Sequence, residues 1–212
     1  MILFSVVFAL AGQAATVGTV IPIIGEPKGM AYDAARKLLF ISNSTQNRVE
    51  VFSTEQMQLL TPITVGVKPG ALELVPDSTL LLVCNTESTS LSVIDREALA
   101  ATGTIPVTAR SVQTPERPFS VAALSNGTAL LSTNVGLQRI DLVARTTQPI
   151  TNAGFAVPAN VNLVSSGNHK FVLGQGGTVA FLYTDQGFAQ VRAAAGSRLL
   201  AADAGGTRFL VG

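Results

Sequence analysis

Along most of the chain, apolar residues come in runs of three to five, bounded every 8 to 12 residues by Gly, Pro, Asn, Asp or Ser. That spacing predicts short strands joined by turns, because a helix needs a longer stretch repeating every three to four residues. The runs Leu38–Ile41, Leu80–Val83, Ala129–Leu131 and Phe171–Leu173 are each followed, after a polar turn, by a second set: Val49–Phe52, Leu91–Ile94, Leu137–Leu142 and Val179–Tyr183. A closing strand is expected at Leu60–Val65, Thr102–Val107, Arg145–Ile150 and Phe188–Arg192. Only Asp95–Ala101 and Gln186–Ala195 have the composition for helical turns, and neither is long enough to change the class.

The runs belong to a repeat, which the stretch Gly66–Asp95 displays in full: a Gly-x-x-Pro turn, a short strand, a polar turn, Leu80–Val83 closed by Asn85, a polar loop, and Leu91–Ile94. Pro27, Pro69, Pro118 and Pro158 are separated by 42, 49 and 40 residues. Sixteen positions after the first three prolines stand Asn43, Asn85 and Asn134, and the fourth unit has Gly174 there, followed by Gln175, Gly176 and Gly177. Asn hydrogen-bonds its own backbone and Gly tolerates positive φ, so both suit the turn that ends a strand. Four short strands in about 42 residues is the signature of a propeller blade. A β-sandwich also uses short strands, but it does not require a fixed proline-to-asparagine interval.

The fold class expected is therefore an all-β propeller of four-stranded antiparallel blades over residues 16–212. Four full units are followed by a fifth that starts near Ser197, with strands at Leu199–Asp203 and Arg208–Val211. Thr16–Ile24 matches the closing strand of a unit. Paired with the C-terminal strands it would give a three-stranded terminal blade, and the sequence stops in mid-blade, as a fragment of a larger propeller would. Closing the ring is how propellers protect sheet edges.

The repeat units resemble the YVTN type of β-propeller repeat, which runs from a Gly-x-x-Pro turn through an apolar Tyr-Val-Thr-Asn-like strand to a Val-Ile-Asp strand. Here those slots hold Leu81-Leu82-Val83-Cys84-Asn85 with Ser92-Val93-Ile94-Asp95, and Leu39-Phe40-Ile41-Ser42-Asn43 with Val49-Glu50-Val51-Phe52. A third copy, Leu130-Leu131-Ser132-Thr133-Asn134, precedes Arg139-Ile140-Asp141. The likeness covers roughly residues 25–212 and weakens after 145. It implies a scaffold of secreted, periplasmic or surface proteins of bacteria, and it transfers no catalytic residues.

Residues 1–15 differ from the rest. Met1–Leu10 is nearly all apolar and is followed by Ala11, Gly12, Ala14 and Ala15, as in a secretory signal, but no positive n-region precedes it. Two readings stand: a leader cleaved before Thr16, or a buried strand of a longer parent chain. Elsewhere no apolar run approaches the roughly 18–20 residues of a spanning helix. Charge is sparse and balanced, 14 basic against 13 acidic residues. Trp is absent. Neither an electrostatic footprint nor a stacking platform for nucleic acid is indicated.

Little chemistry is encoded locally. His169 is the only histidine and Cys84 the only cysteine, so a multi-histidine metal site and an internal disulfide are excluded. His169 reads as a solvated turn residue, and Cys84, ending an apolar run, as a buried thiol. Gly174–Gly177 joins two strands, whereas a phosphate loop must lead into a helix. Asp95 and Asp141 read as turn initiators. With proline loops and asparagine loops expected at one end of the propeller, that end would present Glu26, Lys28, Asn43, Asn47, Arg48, Lys68, Asn85, Glu87, Glu116, Arg117 and Asn134. Lys28, Lys68 and Arg117 flank the repeated prolines and would form a basic arc. Two functions follow: a non-enzymatic scaffold that binds a protein, peptide or glycan on this loop face, or a lactonase-like hydrolase. The latter would hold calcium through Glu26, Asn43, Asn85, Glu116 and Asn134 and take missing ligands from further blades.

Overall fold

The computed structural model describes residues 20–151, 153–193, 199–202 and 209–211. Every regular element among them is a strand. Blade 1 comprises β1 (Pro27–Asp33), β2 (Leu38–Asn43), β3 (Arg48–Ser53) and an outer strand split into β4 (Gln58–Leu59) and β5 (Ile63–Thr64). Pro62 stands at the split, where it has no N–H to give the ladder. Blade 2 is β6 (Pro69–Leu74), β7 (Leu80–Asn85), β8 (Ser90–Asp95) and β9 (Ala100–Pro106). Blade 3 is β10 (Pro118–Ala123), β11 (Thr128–Thr133), β12 (Leu137–Asp141) and β13 (Thr146–Pro149). Blade 4 is β14 (Asn162–Ser165), β15 (Phe171–Gly176), β16 (Val179–Thr184) and β17 (Gly187–Ala193), and β18 (Leu199–Ala202) pairs with β19 (Phe209–Val211) beyond it.

Each blade is an antiparallel meander in strand order. The first strands of successive blades pack side by side, β1 on β6, β6 on β10, β10 on β14 and β14 on β18, and so form the wall of a central channel. The architecture is a partial β-propeller. What holds it together is the alternation of side chains along each strand, which sends one set of apolar residues toward the preceding blade and the other toward the next. Phe40, Val49 and Val51 of blade 1 thus meet Leu81, Val83 and Ile94 of blade 2. Leu82, Cys84, Leu91 and Val93 meet Val121, Ala123, Leu131 and Ile140 of blade 3. Ala122, Leu130 and Leu137 meet Leu163, Val172 and Phe181 of blade 4. Each buried side chain of this size contributes about 1.5–3 kcal/mol, so the interfaces between blades are the core. On the other side of blade 1, Met30 and Tyr32 are 70% and 50% exposed. Leu72 and Leu74, their counterparts in blade 2, pack against blade 1.

In the first three blades the turns between third and fourth strands share one device. Ser53 Oγ accepts from Gln56 N at 3.1 Å, Asp95 Oδ1 from Glu97 N and Ala98 N at 2.8 and 2.9 Å, and Asp141 Oδ1 from Val143 N and Ala144 N at 2.9 and 2.8 Å. In each turn the fourth residue on, Met57, Leu99 or Arg145, takes a positive φ. Asp95 and Asp141 initiate turns as the sequence suggests, and the segment after Asp95 is a turn rather than a helix.

Several expectations change. Residues 20–24, the end of the proposed Thr16–Ile24 strand, form no strand, and the rest of that segment, with the 1–15 leader, lies outside the described residues. Gln186–Ala193 is almost wholly the strand β17. The third repeat slips by one. Pro118 pairs with Thr133, where Pro27 and Pro69 pair with Asn43 and Asn85, so buried Thr133 fills the asparagine slot and Asn134 lies beyond it, exposed. In the fourth unit Pro158 sits ahead of β14 rather than opening it, and Gly174 lies inside β15, the turn coming at Gly177–Thr178. The Gly174 position is a packing site. A Cβ there would enter the ring of Phe181, its cross-strand partner.

Candidate functional site

The proline-bearing connections and the turns between second and third strands lie at the same end of the channel. Ser44 N donates to Glu26 O, Thr86 N to Lys68 O, and Asn134 N to Arg117 O, at 2.9–3.1 Å, one such clasp in each of the first three blades. Between the first strands they surround a cavity of about 680 Å³ at the channel mouth. Its walls come from three kinds of group. Met30, Leu72 and Phe119 are apolar, Ser44, Thr86, Ser120 and Asn162 are neutral and polar, and Glu26, Lys28 and Lys68 are charged. Gly29 and Gly70 let the walls of blades 1 and 2 approach. A Cβ on Gly29 would stand 2.6 Å from Gly70 O, and Ser42 bridges the two strands by accepting from Gly29 N at 2.8 Å and donating to Gly70 O at 2.6 Å.

Charges at the mouth are paired. Lys28 Nζ lies 2.7 Å from Glu26 Oε1, and Lys68 Nζ 2.5 Å from Glu87 Oε1, with all four side chains about half exposed. The Lys28 ammonium, with help from the Ser44 hydroxyl, holds the Glu26 carboxyl below the usual glutamate range. Exposed pairs of this kind contribute little to stability. They leave two ammonium groups that can exchange one carboxylate partner for another.

Of the residues singled out in the sequence, Glu26, Lys28 and Lys68 come together at the cavity. The others divide. Asn43 is fully buried, donating from Nδ2 to Ile24 O at 2.7 Å and Glu50 Oε1 at 2.8 Å and accepting Glu26 N at 3.2 Å on Oδ1. Asn85 is equally buried, donating to Ser90 O and Ser92 Oγ at 3.0 Å. Glu116, 1% exposed, is locked between Arg110, Thr133 and Gln138. These three shape the loops from beneath, Asn43 and Glu116 with their polar atoms engaged and Asn85 through Nδ2 alone, its buried Oδ1 having no hydrogen-bond partner among the described residues. Arg48 is tied to buried Glu50 at 2.7 Å. Arg117 and Asn134 are exposed on the rim, linked by Arg117 N donating to Asn134 Oδ1 at 2.7 Å, and neither lines the cavity. The basic arc thus reduces, at the cavity, to Lys28 and Lys68. Nor do Glu26, Asn43, Asn85, Glu116 and Asn134 converge on a point, since each has its own partners in its own blade. Among the described residues no three of His, Cys, Asp and Glu are grouped so as to hold a metal ion.

Residues the sequence did not flag complete the site. Phe119 and Ser120 directly follow the third repeated proline. Deeper in the channel, Glu73 on β6 occupies a slot that is Ala31 in blade 1 and Ala122 in blade 3, judged by their pairing with Phe40, Leu82 and Leu130. Its Oε1 accepts from Ala123 N at 2.9 Å and from Ser165 Oγ at 2.5 Å, so one side chain of blade 2 reaches the inner strands of blades 3 and 4. Loss of solvation pushes this carboxyl above the ordinary glutamate range, against the pull of Ser165 and of the Ala123 N–H. His169, expected in solvent, is half-buried with positive φ, its Nδ1 3.3 Å from Ala123 O. A carboxylate amid apolar equivalents was the available signal, and it needed the repeat aligned to the residue.

No known family profile matches the sequence, and no curated protein matches it. Among solved structures the chain is similar to hydrazine synthase of Kuenenia stuttgartiensis, a protein that contains a β-propeller, with a TM-score of 0.67 and 19% identity over 88% of this chain. The match covers 55% of that structure, so this chain spans about half its length. At this identity the likeness carries the fold alone.

Proposed function

We propose that the chain is a non-enzymatic propeller scaffold of the YVTN type, acting outside the cytoplasm of a bacterium, that binds a protein segment, peptide or glycan at the channel mouth. The observation that carries this reading is the convergence of loops and inner strands from four blades on one 680 Å³ cavity whose walls mix apolar, hydroxyl and exchangeable ionic groups. Loops held on a rigid frame are where binding residues concentrate, and a concave site with an apolar floor and a few polar groups suits a ligand of mixed character. Residues 16–212 form the propeller domain in this reading, with 1–15 as its leader.

Binding to arrayed peptides and glycans tests the assignment. Ligands captured by the parent chain should lose at least tenfold in affinity when Lys68→Glu and Phe119→Ala are combined. Substitutions at the opposite end of the channel, such as Lys37→Ala in the turn between β1 and β2, should leave affinity unchanged. Equal loss from both would remove the mouth as the site.

A further inference from the structure

Below the mouth cavity the channel wall carries a fixed carboxylate. Leu72 is the last residue of β6 in the cavity wall, and Glu73 follows it about 3.3 Å further down the strand. Its side chain leaves blade 2 and ends against blades 3 and 4, where Oε1 accepts from Ala123 N at 2.9 Å and from Ser165 Oγ at 2.5 Å. Both bonds strengthen when the group is ionised, so these contacts hold an anion in one orientation. They use only one of its oxygens. Oε2 has no hydrogen-bond partner among the described residues, and it stays open to the channel on a half-buried side chain. We propose that Glu73 Oε2 receives a primary ammonium group, the side-chain end of a lysine in a peptide or protein segment that enters through the mouth; the inference rests on the mouth as the binding site.

The fold does not need a carboxylate here, since the equivalent slots in blades 1 and 3 hold Ala31 and Ala122. Nor does the chain neutralise it. Among the described residues no Lys or Arg pairs with Glu73, and the basic side chain that acts on it is His169, whose Nδ1 is turned to Ala123 O. Burial pushes the carboxyl above the ordinary range, the direction expected of a charge that lacks its counter-ion. The free oxygen selects the class of cation. An Arg fork is matched to both oxygens of a carboxylate, and one of them is already taken; a Lys ammonium is a compact charge that can sit on a single oxygen. A divalent ion wants six or more oxygen ligands, and among the described residues no three of His, Cys, Asp and Glu are grouped to supply them. Above the carboxylate, Leu72 and Phe119 in the cavity wall suit the four-carbon stem of a lysine. Lys28 and Lys68 are each paired with a carboxylate, so no unpaired positive charge of theirs bars the way in.

The test titrates the unmutated chain with Nα-acetyl-lysine amide and with its uncharged counterpart, Nα-acetyl-norleucine amide, at pH 8 and fixed ionic strength. NMR follows the Glu73 side-chain carboxyl carbon and the Ala123 amide. The lysine probe should move both signals saturably, and the norleucine probe should bind roughly tenfold more weakly or worse. Glu73→Gln keeps an oxygen for both donors and should weaken the lysine probe by a similar factor. Equal affinity for the two probes, or a lysine probe that leaves the Glu73 carbon unmoved, overturns the proposal on the parent chain without any substitution. Peptides that lose affinity in the Lys68→Glu and Phe119→Ala combination but not in Glu73→Gln would keep the mouth and overturn the ammonium site. A lysine probe that moves the Glu73 carbon, with no peptide affected by the mouth combination, would support the ammonium site and remove the mouth instead.

Discussion

Arg96 in blade 2 donates from Nη1 to Oδ2 of Asp33 at the end of β1 in blade 1. The two side chains are 8% and 4% exposed. Arg96 also donates from Nε to Thr79 O at 3.1 Å and from Nη2 to Ser78 O, so it ties its own blade's hairpin to the neighbouring blade. Arg36 approaches the same Asp33 oxygen at 3.1 Å and reaches Glu97 of blade 2 at 2.5 Å. The end of the channel opposite the mouth is thus clamped by ions, while the middle of the interface is aliphatic.

Removing one member of that clamp strands the other. Arg96→Met should cost about 1–3 kcal/mol, because Asp33 stays buried with only the Arg36 side chain and backbone N–H left to it. Asp33→Asn combined with Arg96→Met should cost less than Arg96→Met alone, which urea unfolding of the four chains would show. Acid acts on the same pair. Burial pushes the Asp33 carboxyl up, but the Arg36 backbone N–H and the Arg96 charge together outweigh it, and the group sits below the ordinary aspartate range. Its contribution is therefore present above about pH 4 and is lost as pH falls through the depressed folded value. The parent should lose stability on acidification more steeply than Arg96→Met, and parallel curves would refute the pairing.

The repeated asparagines should separate on substitution. Asn43→Ala removes two donated and two accepted hydrogen bonds from a buried site, leaving Ile24 O and the Glu26 N–H to find water, at about 1–3 kcal/mol. Asn134→Ala acts on an exposed side chain and should cost about 0.5 kcal/mol or less. Thr133→Ala, in the buried slot, should resemble Asn43→Ala. Equal losses at 43 and 134 in denaturant unfolding would contradict the one-residue slip of the third repeat.

That slip shows what the sequence could and could not carry. Strand order, blade size and the common end of the proline and asparagine loops are properties of spacing, and spacing is written in the chain. A register offset is not. Asn134 matches the textual interval because the hairpin between β10 and β11 is one residue shorter than its counterpart in blade 2, and only the pairing of Ala122 with Leu130 reveals it. Burial of the candidate site has the same origin. Asn43, Asn85 and Glu116 read as surface polar residues, and what hides them is the neighbouring loop folding over each strand end. Glu73 was overlooked for the converse reason, since a lone glutamate between two leucines looks like ordinary strand alternation until its equivalents are seen to be alanines.

Cys84 offers a check on the interface between blades 2 and 3. It is fully buried there, and burial, followed by the nearby Glu73 carboxyl, pushes its thiol well above the usual range. The folded chain should resist a thiol-specific disulfide reagent at pH 8 and react only as denaturant unfolds it, the thiolate being the reactive form. Rapid labelling without denaturant would mean that this interface opens.

The substitution Gly174→Ala sets two effects against each other. Glycine inside a strand is a weak choice, and alanine would normally gain about 0.5–1 kcal/mol by lowering the entropy of the unfolded chain. Here the added methyl would drive into the ring of Phe181, which is 2% exposed and fixed by its neighbours. Phe188 packs edge-on to it at a 5.3 Å centroid separation, and Phe155 lies 5.8 Å away. The ring has no free direction in which to move, so overpacking should win and the variant should lose about 1–3 kcal/mol. Adding Phe181→Leu opens room for the methyl, and the double variant should then be less destabilised than the sum of its parts, a coupling that thermal or urea unfolding can measure. If Gly174→Ala were instead as stable as the parent, the aromatic cluster would have to be loose enough to slide, and blade 4 would owe its register to something other than this contact.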